Sequence, residues 1–194
     1  ILASVIAVIY SKKEFDIENK FVVGHVGRFN YPKNHKFIID VFNEVQKVKE
    51  DSVLMLVGDG DLRYEIEQKV QDLGLSDKVI FTGVRSDVDE LMQGMDVFLF
   101  PSLYEGLPVT MVEAQASGLE CIISDKVPLE CKMTENVEVV KLEESPQNWA
   151  EEVLKYEKYE RQNTKEEIVK ANFDIKANAK YLQEFYLNKC QLED

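Results

Sequence analysis

Cysteine and histidine are scarce in this chain. Three cysteines stand among 194 residues. Cys121, Cys131 and Cys190 are scattered, odd in number and lack metal-ligand spacing, so neither a disulfide framework nor a thiolate metal site is indicated; reduced thiols, as in a cytosol, are expected. With only His25 and His35 there is no histidine-rich metal site. No apolar run approaches the ~20 residues that span a bilayer. Positive charge is also in short supply: 23 Lys and Arg stand against 36 Asp and Glu, a net charge of −13. That balance argues against nucleic-acid binding and against electrostatic docking on anionic lipid. A P-loop is absent, and no G-x-G-x-x-G follows the first strand signal, so a dinucleotide oxidoreductase is poorly supported. There is no internal repeat, low-complexity tract or Gly/Ser linker. The apolar start, residues 1–10, is short and has no basic leader; it is expected to be a truncation edge rather than a signal peptide.

What is present is a β–α alternation. Residues 21–27 read as a strand, and residues 35–49 as a helix with Phe37, Ile38, Val41, Phe42, Val45 and Val48 on one face. Residues 53–58 form an apolar strand of the kind covered on both sides. A helix over 62–73 stops at Gly74, a strand covers 79–83, and a helix over 86–95 is capped by Ser86. Strands over 96–100, 121–125 and 137–142 and a helix over 107–117 complete the pattern. Such alternation implies an α/β fold, a Rossmann-like doubly wound parallel sheet of about six or seven strands. Ligands then bind at the carboxyl ends of the strands, where Arg28, Gly58, Gly83 and Glu105 fall. After Leu142 the chain becomes charged and helical, opening at the Ser145 cap with Pro146 and running to Lys189 with a break near 172–174. Three parts are expected: 1–20 as a truncated interdomain connection and first strand, 21–144 as the Rossmann-like domain, and 145–194 as C-terminal helices packing on it.

The richest segment is Phe98-Leu-Phe-Pro-Ser-Leu-Tyr-Glu-Gly-Leu-Pro-Val-Thr-Met-Val-Glu-Ala-Gln-Ala-Ser-Gly118. It reads as a strand, a tight loop and a helix beginning near Leu107 or Pro108. Glu105 sits at the turn and Glu113 in the helix, roughly 12 Å apart if every intervening residue is helical. The amides of Gly106 and Leu107 at the positive end of the helix dipole favour an anion such as a diphosphate. A second segment, Gly27-Arg-Phe-Asn-Tyr-Pro-Lys-Asn-His35, leaves the first strand and opens a helix. Arg28 offers a planar fork for phosphate oxygens and Lys33 a mobile point charge. Asn34 and His35 read as capping and packing residues.

The pair Glu105-Gly…Glu113-Ala, with Pro-Ser before it and Gly-Leu-Pro within it, resembles the donor-site motif of retaining group 1 (family 4) glycosyltransferases of the two-domain GT-B architecture. The wording is similar to that of bacterial capsule and exopolysaccharide enzymes. The resemblance covers only the second Rossmann-like half, from about Val22 onward. It implies a cytoplasmic hexosyltransferase, with a place at the inner membrane face left open, that binds a nucleoside-diphosphate sugar, taken as UDP-linked. Glu105 would hold the donor sugar and Glu113 the ribose. Gly106, Leu107, Pro108 and Thr110 would line the diphosphate, Arg28 and Lys33 would neutralise it, and Val84, with Arg85 as an open alternative, would lie near the base. No cofactor or metal is implied. The N-terminal acceptor domain is not part of this stretch, and the isolated domain is expected to be inactive.

Departures from the family pattern leave questions open. Tyr10-Ser-Lys-Lys-Glu-Phe-Asp16 stands where an Asn-Gly-Ile-Asp connection is usual, and Glu120 stands where related chains often have Pro. The Asp-x-Asp of Gly58-Asp-Gly-Asp61 is read as a tight glycine turn with Asp as helix cap, not as a metal ligand. A GT-B epimerase acting on a nucleotide-sugar without an acceptor, and a non-catalytic nucleotide-binding module, remain as alternatives. A phosphorylase of the same architecture would need a pyridoxal-phosphate lysine site, which is not found.

Overall fold

The computed structural model describes residues 11–190. The expected truncation edge, residues 1–10, and the strand expected within 1–20 lie outside the described residues as far as Tyr10; residues 11–14 are helical rather than extended. The chain then builds β1 (Phe21–Val26), α1 (His35–Val48), β2 (Ser52–Val57), α2 (Arg63–Asp72), β3 (Val79–Gly83), α3 (Val88–Gly94), β4 (Val97–Phe100), α4 (Val109–Ala116), β5 (Glu120–Ser124), β6 (Val137–Val140), α5 (Pro146–Leu154), α6 (Lys165–Lys170) and α7 (Ile175–Cys190).

Six parallel strands form one sheet in the order β3-β2-β1-β4-β5-β6. Every residue of β1, β2, β4 and β5 is buried. That explains their unbroken apolar runs: helices cover both faces, so alternation has no solvent side to report. Successive residues feed two cores. Val23, Leu54 and Leu56 pack with Ile38, Phe42 and Trp149 on one face; Val22, Met55 and Phe98 pack with Leu91, Met111 and Cys121 on the other.

Several local expectations need correction. Val48 is 75% exposed and does not belong to the buried face of α1. Ser86 does not cap α3; the N-cap is Asp87, without a side-chain cap bond. Neither Asp59 nor Asp61 caps α2, whose N-cap is Leu62; Asp59 Oδ1 instead accepts from the amide of Gly60 at 2.8 Å. Ser145 does cap α5, accepting from the Asn148 amide at 3.1 Å. The C-terminal region is interrupted twice, at 155–164 as well as at 171–174. The first interruption is a strap across the amino-end edge of the sheet. There Arg161 donates to the carbonyls of Met92, Met95 and Ser117.

The loop after β1 rests on the loop after β2. The Phe29 amide donates to the Asp59 carbonyl at 3.0 Å and the Leu62 amide to the Phe29 carbonyl at 3.1 Å. Gly58 has φ +133°, and a Cβ there would lie 2.2 Å from the Gly27 carbonyl oxygen. Only glycine allows that approach. Beneath the same loop, His25 and His35 are both buried. His25 Nδ1 lies 2.9 Å from the Leu99 carbonyl, which can only accept, so the ring donates from Nδ1. His35 stacks on Phe29 at 4.1 Å and meets His25 edge-on at 4.8 Å. Burial, then the charge of Lys33, pushes the His35 pKa down to about 4. Burial and the neighbouring His35 lower that of His25 well below its ordinary range.

Two outcomes follow. Gly58→Ala should destabilise the fold by at least about 2 kcal/mol in urea unfolding, since both the backbone conformation and the Gly27 contact are lost. The histidines set a pH dependence. Unfolded His35 takes up its proton near its ordinary pKa of 6.5 and folded His35 only near 4. Its contribution is therefore fully present above pH 6.5 and is lost as the pH falls toward 4, on the order of 3 kcal/mol in total. Between pH 7 and 4.5, His35→Phe should lose less stability than the parent by about 2 kcal/mol; equal losses would refute this.

Candidate active site

The strand order reverses between β1 and β4, the adjacent pair from which the chain departs in opposite directions along the sheet. Loops leaving the carboxyl ends of such a pair diverge and leave a crevice. The loop after β1 carries Arg28 and Lys33; the loop after β4 carries Glu105. Both therefore lie on the same sheet edge, as the sequence reading requires.

The two loops are joined. Leu103 donates its amide to the Pro32 carbonyl at 2.8 Å. Asn34 Nδ2 donates to the Pro101 carbonyl at 3.1 Å. Asn34 sits at the N-cap of α1 with φ +56°, a left-handed conformation that Asn tolerates, and makes no side-chain cap bond. It therefore binds one loop to the other instead of capping its own helix, a role not seen from the sequence. A half-buried Asn next to a turn gives no cross-loop signal in a single chain.

Across this junction Lys33 Nζ lies 2.6 Å from Glu105 Oε1. The side chains retain only 16% and 12% of their exposure, so the pair is largely removed from water. Lys33 Nζ also sits 4.6 Å from the centre of the Phe100 ring. Gly27 leaves room for this arrangement, because a Cβ there would meet His25 Nε2 at 2.9 Å and the Lys33 stem at 3.2 Å. Arg28 is not part of the pair. Its side chain is 66% exposed and reaches Asp61 at 3.5 Å, a weak solvent-screened contact that leaves the guanidinium available.

The motif helix is shorter than expected. Pro108 is extended, so α4 begins at Val109 and the assumption behind the 12 Å estimate, continuous helix from Glu105, does not hold. Pro108 offers no side-chain cap to the amides of the first turn. Gly106 and Leu107 are exposed ahead of it, and a Cβ on Gly106 would meet nothing within 4 Å. Thr110 Oγ1 is buried without a hydrogen-bond partner among the described residues. Amides, an unengaged hydroxyl and the helix dipole together make the start of α4 suited to an anion. Glu113 projects one turn further on. Loss of solvent and then the charge of Asp89 raise its carboxyl pKa.

Val84 stands 81% exposed beyond the end of β3. Arg85 is tied to Glu14 at 2.7 Å and to Asp87 at 2.6 Å, which makes it a surface clamp and not a free base contact. Among the described residues no group of three or more His, Cys, Asp or Glu is placed to hold a metal ion, and no helix is long and apolar enough to cross a membrane.

Residues 9–185 match the family described as "Glycosyl transferases group 1". The chain is 36% identical over 178 residues to EpsF of Bacillus subtilis, a protein named as a glycosyltransferase, covering 87% of this chain and 45% of that protein. It is 36% identical over 110 residues to the UDP-Gal:alpha-D-GlcNAc-diphosphoundecaprenol alpha-1,3-galactosyltransferase of Escherichia coli, covering 55% of this chain and 28% of that enzyme. The chain thus spans less than half the length of these relatives. The fold is also that of Anabaena Alr3699/HepE in complex with UDP, with a TM-score of 0.78 at 21% identity over 94% of this chain and 52% of that one. With that match over most of its length, the chain belongs to the group 1 glycosyl transferases, and its sheet is one Rossmann-like half of their GT-B architecture.

Proposed function

We propose that this chain is the donor-binding half of an enzyme that transfers a hexosyl unit, with retention of configuration, from a UDP-sugar to a hydroxyl of a glycan or lipid-linked acceptor in polysaccharide biosynthesis. The observation that carries the reading is the meeting of Lys33 and Glu105, 2.6 Å apart, beside the uncapped start of α4. A cation for phosphate and a carboxylate for hydroxyls stand next to each other at the crevice of the sheet. The name of the E. coli relative, with its UDP-Gal donor and diphosphoundecaprenol-linked acceptor, supports the substrate class. So does the UDP bound by HepE, for the nucleotide.

In this reading the diphosphate lies over Gly106, Leu107, Pro108 and Thr110. The first-turn amides and Thr110 Oγ1 donate to its oxygens. Arg28 and Lys33 balance the negative charge that grows on the leaving nucleotide as the anomeric bond breaks. Glu113 accepts from the ribose hydroxyls, and Val84 flanks the base. Glu105 accepts from hydroxyls of the donor sugar and fixes its orientation. These cations and amides supply the positive potential that a divalent ion would otherwise bring. The acceptor wall would come from the half of the enzyme outside this chain, with the reaction at the cytoplasmic face of the membrane.

Calorimetry separates the roles. Glu113→Ala should weaken UDP and uridine alike by about 1.5–3 kcal/mol, the range for a hydrogen bond to a charged acceptor. Arg28→Ala should weaken UDP more than uridine; equal effects on both would remove Arg28 from the phosphate. The 194-residue chain should bind UDP without magnesium yet transfer no sugar, since orientation and exclusion of water need a second wall. Measured turnover by this chain alone, or an absolute need for magnesium to bind UDP, would overturn the assignment.

A further inference from the structure

Lys33 and Glu105 form a direct ion pair, and both members are largely shielded from solvent. Neither has another ion-pair partner among the described residues. The Phe100 ring covers one side of Lys33, and the buried His25 and His35 lie behind the loop. A phosphate oxygen that takes Lys33 therefore leaves the Glu105 carboxylate in a poorly solvated place with no donor. Removing one partner of a shielded pair is unfavourable because the other charge stays unpaired. A ligand that brings hydroxyl donors beside its phosphate avoids that penalty, because it replaces both halves of the pair at once.

Resting on the donor-site reading above, we infer that the Lys33–Glu105 pair is an internal competitor, making the site select a nucleotide that carries a sugar over the bare nucleotide. Glu105 is then a specificity-determining residue in two senses. It favours the intact donor on entry. Once the sugar has been transferred, Glu105 loses its hydroxyl donors, turns back to Lys33 and weakens the hold on the nucleoside diphosphate that remains. Product release is thereby coupled to transfer without any movement of the sheet.

The test reverses the usual expectation for a binding residue. UDP, GDP and ADP are titrated first to fix the base. The preferred nucleotide and a panel of its hexose conjugates are then titrated into the unmodified chain, Glu105→Gln and Glu105→Ala, each checked for folding by thermal melting. Removing the carboxylate should tighten the bare nucleotide by about five- to tenfold, as expected for freeing a lysine from a shielded ion pair. It should also abolish the preference for any hexose conjugate. Glu105→Gln decides the matter if Glu105→Ala does not fold. Unchanged or weaker binding of the bare nucleotide to a folded variant overturns the inference while leaving the donor site intact. Failure of the unmodified chain to bind any of the three nucleotides overturns the donor-site reading, and the inference with it.

Discussion

Parallel strands cannot be joined by tight turns; each must be followed by a crossover that returns the chain to the starting edge. In this chain the crossovers run outward from β1 through β2 to β3, then restart at β4 and run the other way to β6. Two loops are thereby forced apart at one point of the carboxyl edge, and the site residues of the two motifs are carried on those loops. Every later feature of the site depends on that reversal. It places Lys33 and Glu105, 72 positions apart in sequence, in direct contact. It also brings the start of α4 to the same edge, so positive potential from cations and from backbone amides is gathered in one place. In a chain with a net charge of −13, such a concentration is needed for an anion to prefer this edge to any other surface.

The crevice must be stiff to be selective. Its floor is made of close backbone approaches and not of large side chains. Gly58 lies against the Gly27 carbonyl, and Gly60 against the backbone of Phe29. The loop after β2 thus supports the loop after β1 from one side. Asn34 and the Pro32–Leu103 bond fix it to the loop after β4 on the other. Below, His25 donates from β1 to the Leu99 carbonyl of β4, joining the two strands at the reversal itself. Burial keeps both imidazoles neutral at ordinary pH, so no third positive charge stands behind Lys33 to compete for Glu105 or for a phosphate.

The layout of the fold could be read from the sequence because apolar runs of strand length alternate with helix-period segments, and covered parallel strands leave little else possible. Arg28, Lys33, Glu105 and the helix after Glu105 could likewise be placed on one edge from strand ends alone. What could not be read depends on geometry between distant residues. The Lys33–Glu105 contact, the Asn34 cross-link and the withdrawal of Arg85 into a clamp with Glu14 and Asp87 leave no periodic mark. Helix caps escape the sequence pattern for a related reason. Ser86 and Asp61 have the right chemistry beside a helix start, yet each helix begins one or two residues later than the pattern suggests. Pro108 delays α4 in the same way: it is itself extended, and the helix starts only at Val109.

A helix as short as α4 gains little from its own hydrogen bonds and must be held by its surroundings. Its eight residues are anchored at the end remote from the crevice. Gln115 donates to the Cys131 carbonyl at 2.7 Å and accepts from the amides of Met133 and Thr134. Thr164 Oγ1 donates to the Gln115 carbonyl at 2.6 Å, and Arg161 to the Ser117 carbonyl at 2.8 Å. The same guanidinium donates to Met92 and Met95 at the end of α3, so one half-buried cation closes the C-termini of two helices where the dipole favours positive charge. The strap over 155–164 is therefore part of the site's architecture, although it lies at the opposite edge of the sheet. By fixing the far end of α4, it sets where Glu113 projects. It also leaves the near end of the helix, with its free amides and Thr110, to be satisfied by a ligand instead of by the protein.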